Sequence, residues 1–184
     1  SSKERLREAV ERVERESDKV NKELNDKSRR VTEELRKLAE ELNRRSKEVE
    51  EELDKLLARS TRKEVADRLE DLKRRLRELN KDLNRRLREL EEELRRLNEK
   101  LKRESEELKE RLRRLLEEVE KRDVPEEVIR RLIEELDRLL EENDRRIKKA
   151  IEDHKRILEK AEREVREILR RHEKILEDVR EEIR

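Results

Sequence analysis

The sequence predicts an all-α fold: an elongated, up-down-up bundle of three straight helices. Three observations carry that expectation. Strong helix formers fill the chain, with no Gly and a single Pro among 184 residues. The apolar residues recur at one helical period from end to end. Helix start signals stand at only three places. Composition alone would suggest disorder, because 60% charged against 29% hydrophobic residues leaves little apolar surface to offset the entropy of ordering. The periodicity decides the matter in favour of folded helices.

The first helix is expected over residues 2–58, opened by a capping box, Ser1-Ser2-Lys3-Glu4, whose hydroxyl and carboxylate serve orphan N–H groups. Thr61-Arg62-Lys63-Glu64 reads as a second capping box and starts a helix over 62–121 after a turn near 59–61. A third start follows a turn near 122–124. There Pro125 suits a first turn, Asp123 and Glu126 favour the positive end of the helix dipole, and the helix runs over 125–184. At 1.5 Å per residue each helix would be about 85–90 Å long, and the short connections make neighbours antiparallel. The chain reads as one domain, 1–184.

In the first helix the apolar seam runs Leu6, Val10, Val13, Ser17, Val20, then Leu24, Ser28, Val31, Leu35, Leu38, then Leu42, Ser46, Val49, Leu53, Leu56. The steps repeat every 18 residues, five turns at 3.6 per turn, which is the period of an unsupercoiled helix and not of a heptad coiled coil. The second seam restarts at Leu83, Leu101 and Val119, and the third at Ile147, Val165 and Ile183.

Seven seam positions are polar: Ser17, Ser28, Ser46, Ser105, Asn143, His154 and His172. A buried hydroxyl or imidazole without a partner costs about 1–3 kcal/mol, so these groups need one another. With the helices level, three layers are expected: Ser17/Ser105/Asn143, Ser28/His154 and Ser46/His172. They would fix the register of an otherwise repetitive Leu-rich seam. Asparagines flank the seams, and the same height rule pairs Asn43 with Asn80 and Asn25 with Asn98.

Leu/Ile/Val seams, Glu/Lys/Arg surfaces, capping boxes, polar seam residues and an 18-residue repeat without aromatics resemble those of de novo designed, parametrically generated helical bundles with buried hydrogen-bond networks. The resemblance covers the whole chain and is one of style, with no single signature motif. It implies a structural scaffold with no natural biochemical activity. Spectrin-like three-helix repeats, the nearest natural alternative, usually keep aromatic core positions that this chain lacks.

Other functions lack their parts. The Ser/His layers have no seam carboxylate to orient the imidazole, and mid-helix backbone offers no oxyanion hole, so no enzyme and no catalytic residue is expected. His154 and His172 lie 18 residues apart, about 27 Å along a helix, so they cannot share a metal. No cofactor motif is present. The 56 Lys+Arg and 55 Asp+Glu interleave, which argues against a nucleic-acid partner, and no apolar run suits a membrane. The chain reads as soluble, with no address for a compartment and no required partner.

One alternative remains. The third helix has a second apolar row, Val128, Leu132, Leu139, Ala150, Ile157, Ile168 and Ile175, beside its seam. That row either seals the bundle internally, giving a monomer, or forms an interface to another copy or chain, making the protein an interaction module.

Overall fold

The computed structural model describes residues 2–183, apart from the side chain of Ile183. Ser1 of the first capping box, the Ile183 seam side chain and Arg184 lie outside the described residues. The helices are α1 (Ser2–Arg59), α2 (Lys63–Lys121) and α3 (Glu126–Ile183), packed as a three-helix bundle, with no strand among the described residues. Each is several times longer than the ~11–12-residue average α-helix, which propensity and an unbroken seam together permit.

The ends differ in detail from the expected caps. The Arg62 carbonyl accepts from Ala66 N at 3.2 Å, so Arg62 holds the cap position of α2. Thr61 therefore sits one residue too early for a capping box. In its place the Ser60 hydroxyl donates to the Arg62 carbonyl at 3.1 Å and ties the turn. Pro125 lies just before α3, where its carbonyl accepts from Ile129 N at 3.2 Å, and its missing N–H costs nothing there. Acidic residues in the first turns (Glu64; Glu126 and Glu127) and basic ones in the last (Arg59, Lys121, Arg180) complement the helix dipoles.

Contacts group the chain into two units. The first joins Ser1–Ser28 to Leu94–Arg156. Its core is Leu6, Val10, Val13, Leu108, Leu112, Val119, Ile129 and Leu136, followed along the helices by a smaller cluster of Leu24, Leu101 and Ala150. The second joins Arg29–Glu93 to Ile157–Arg184. It holds one cluster of Ala39, Leu42, Leu83, Leu87 and Val165, and another of Leu53, Leu69, Leu72, Leu76, Leu79, Ile175 and Val179. All three helices contribute to each of these four clusters, and burial of such seams is favourable by about 25 cal/mol per Å² of apolar surface.

Most of the second apolar row of α3 is turned inward. Leu132 and Leu139 pack on the first cluster, Ala150 and Ile175 are buried core members, and Ile168 packs on both clusters of the second unit. Ile157 is half-buried. Val128 alone in the row is exposed, at 41%; Ile151, outside it, is 45% exposed.

Ion pairs report the register. Within the first unit Arg7 pairs with Glu120 and Arg113 with Glu14; within the second, Lys73 pairs with Asp54 and Arg77 with Glu50. In each case the two residue numbers add to 127. Level helix midpoints would give about 121, so α2 meets α1 some five or six residues away from the expected register. Side chains lean toward the N-terminus of their own helix, which on antiparallel neighbours means opposite directions, and this lean accounts for about two residues of the difference. The remainder is axial displacement of α2. Parallel α1 and α3 lean together, and their facing residues differ by 126, within the expected 125–126.

Candidate functional site

Among the described residues, the polar seam positions bring hydroxyl, amide and imidazole groups into the aliphatic core, and the helical period determines where they fall. Ser28 follows Leu24 by four residues and precedes Val31 by three, so its side chain projects inward exactly as a leucine there would, and Ser46, His154 and His172 occupy equivalent positions. His154, His172, Ser17 and Ser46 are each 1% exposed, Ser105 and Asn143 4%, and Ser28 7%.

Two layers are hydrogen-bonded. In the first unit Ser28 Oγ lies 2.6 Å from His154 Nε2, and Asn98 Nδ2 donates to Ser28 Oγ at 3.2 Å. The Leu24 carbonyl, one turn before Ser28, adds a backbone hydrogen bond to the imidazole. In the second unit Ser46 Oγ lies 3.0 Å from His172 Nε2 and donates to Asn80 Oδ1 at 3.3 Å. Each layer thus takes one polar side chain from every helix.

The asparagine pairing expected from level helices is corrected. Asn98 and Asn80 bond to Ser28 and Ser46, while Asn25 is exposed and Asn43 half-buried. The displaced register of α2 brings these amides to the serines. A hydroxyl inside an apolar core also gains more from a second partner than a solvated amide does.

The third expected layer is also altered. Ser17, Ser105 and Asn143 are all buried, but no hydrogen bond joins them among the described residues, and Ser17 Oγ has no partner. The register of α2 sets Ser105 opposite residues 21–22 of α1, about one turn from Ser17.

Burial, the largest cause in both cases, pushes each imidazole below its ordinary pKa. At His154, Lys27 pushes it down further and the bond to Leu24 opposes. At His172, Glu173 pulls it up and Arg45 pushes it down. Both rings are therefore held neutral by an environment that charges only at a desolvation cost.

Two buried cations escaped the sequence reading. Arg86 is 7% exposed and pairs with Glu89, Glu93 and, across to α3, Glu164. Lys109 is 8% exposed and bonds Asp18 of α1. The signal was in the spacing: Arg86 follows Leu83 by three and precedes Leu90 by four, and Lys109 lies beside Leu108. Their long stems cover apolar surface while the heads reach carboxylates at the rim.

Chemically the layers offer little to a substrate. His172 Nδ1 is buried without a partner, so no group orients that ring as a base. Grooves on the surface are lined by Leu97, Arg146 and Asp153, by Val49, Leu176 and Arg180, or by Leu79, Lys174 and Ile175, and none of the three includes a core serine or histidine. Among the described residues no group of three or more His, Cys, Asp or Glu is placed to hold a metal, and no helix is long and apolar enough to cross a membrane. No protein-family model matches the chain, and neither a curated protein nor a solved structure matches it.

Proposed function

We propose that the chain is a designed structural scaffold without catalytic activity, and that its polar layers fix the register of its helices. The observation that carries this reading is the convergence of one polar side chain from each helix at Ser28/Asn98/His154 and again at Ser46/Asn80/His172. The apolar seam repeats every 18 residues and by itself tolerates a slip of that length. The two layers are themselves 18 residues apart, so such a slip would keep one Ser/His pair matched and set a member of the other against an apolar residue, Ser28 against Leu136 or His154 against Val10, at about 1–3 kcal/mol for each stranded group. The repeat without Gly or aromatics, and a composition of strong helix formers, support a designed origin.

The interaction-module reading draws on the exposure of Val128 and Ile151. It is the weaker one, because the rest of the α3 row packs into the core, and scattered apolar side chains are normal on a monomer. Sedimentation over a wide concentration range tests both. A single species at 22.9 kDa is expected; a stable multiple of that mass would refute the self-contained scaffold and favour the module.

A further inference from the structure

Ser17 and Asn143 stand in the same relation as the two bonded Ser–His pairs. Their numbers differ by 126, as do those of Ser28 and His154 and of Ser46 and His172. At those pairs the imidazole carries Nε2 two bonds beyond Cγ and reaches the serine. An asparagine carries its polar atoms only one bond beyond Cγ, so at this level the same backbone spacing leaves the two side chains short of each other. Ser17 Oγ accordingly is buried with no protein partner.

The surroundings are polar at this level and apolar on either side. The fully buried members of the first cluster end at Val13, Leu108 and Leu136, with Leu139 and Leu140 packed against it, and the next cluster begins with Val20, Leu101 and Ala150. Between them lie Ser17, Ser105 and Asn143, one from each helix and none more than 4% exposed. A buried hydroxyl left unsatisfied is rare in a folded protein, and the common remedy is an internal water making two to four hydrogen bonds.

We infer that the gap between Ser17 and Asn143 is a binding site for a single structural water, bridging the Ser17 hydroxyl to the Asn143 amide. The water completes a third polar connection between α1 and α3 and replaces the reach that histidine provides in the other two.

The test is a high-resolution crystal structure of the full chain, paired with the variant Asn143→His. In the unaltered protein, ordered density within hydrogen-bond distance of both Ser17 Oγ and the Asn143 amide is expected. Asn143→His should expel it and bond Ser17 directly. In solution, water-nucleus relaxation dispersion should show a long-lived water that the variant loses. A direct Ser17–Asn143 bond, a gap without density in the unaltered protein, or dispersion unchanged by the variant would each overturn the inference. Ser17→Ala gives an independent reading through its guanidinium midpoint. The midpoint should fall if the hydroxyl is hydrated, and a rise would mean a dry, unsatisfied hydroxyl and refute the site.

Discussion

Ser46 Oγ lies 3.0 Å from His172 Nε2, and the direction of that bond follows from what lies beyond the serine. A hydroxyl has one proton, and Ser46 gives it to Asn80 Oδ1 at 3.3 Å, so the histidine must be the donor. The proton therefore sits on Nε2, and the unpartnered Nδ1 is a bare lone pair. That is the less costly arrangement, since an orphaned buried N–H is rarer than an under-used acceptor. Nitrogen-15 NMR above neutral pH should report the Nε2–H tautomer for His172. A Nδ1–H signal would reverse the relay.

Acid should weaken the fold. Both imidazoles have folded-state pKa values below the unfolded value of about 6.5, so the unfolded chain binds protons first as pH falls. The stabilisation is complete above that value and is lost as pH drops from it toward the folded pKa. The slope is at most about 1.4 kcal/mol per pH unit for each histidine. Guanidinium midpoints between pH 8 and 4 measure it, and the slope in that window should shrink in His154→Leu/His172→Leu, with carboxylate effects as the residue.

Breaking one member of a layer should cost more than replacing the whole layer. Ser46→Ala strands both His172 and the Asn80 carbonyl, for an expected loss of about 1–3 kcal/mol. Replacing Ser46, Asn80 and His172 together by Ala, Leu and Leu removes every group that needs a partner and should leave stability near or above the starting value. Denaturant titrations of the two variants provide the comparison; equal losses would mean that the hydrogen bonds do not couple.

The Lys109–Asp18 pair predicts a second asymmetry. Lys109 is 8% exposed, whereas the Asp18 side chain is 66% exposed. Asp18→Asn leaves a poorly hydrated ammonium whose nearest remaining carboxylate is Glu106 at 3.9 Å, and a loss on the order of 1 kcal/mol is expected. Lys109→Leu should be neutral or stabilising, because a solvated aspartate loses little. High salt should change neither result greatly, since the ammonium is shielded from ions.

Core and rim should separate cleanly. Leu76 is 0% exposed within the cluster that includes Leu72, Leu79 and Ile175, and Leu76→Ala should cost about 2–5 kcal/mol. Ile151→Ala, at a position 45% exposed, should stay within about 0.5 kcal/mol by the same melts.

The sequence by itself determined the helices and their inward faces. With no glycine and one proline, breaks had few places to fall, and the observed bounds lie within a residue or so of those read from Arg59-Ser60 and Asp123-Val124-Pro125. Period is a local property, so Ser28, Ser46, His154 and His172 could be assigned to the seam, and the parallel α1–α3 pairs followed from counting. Tertiary structure decided what counting could not. Opposed side-chain lean and the displacement of α2 gave Asn98 to Ser28 and Asn80 to Ser46, and separated Ser105 from Ser17 by about a turn. It also turned Leu132, Leu139 and Ile175 into the core and buried Arg86 and Lys109 against carboxylates on neighbouring helices. Periodicity states which way a residue faces along its own helix. The height of its partner depends on how two helices dock, and neither helix encodes that alone.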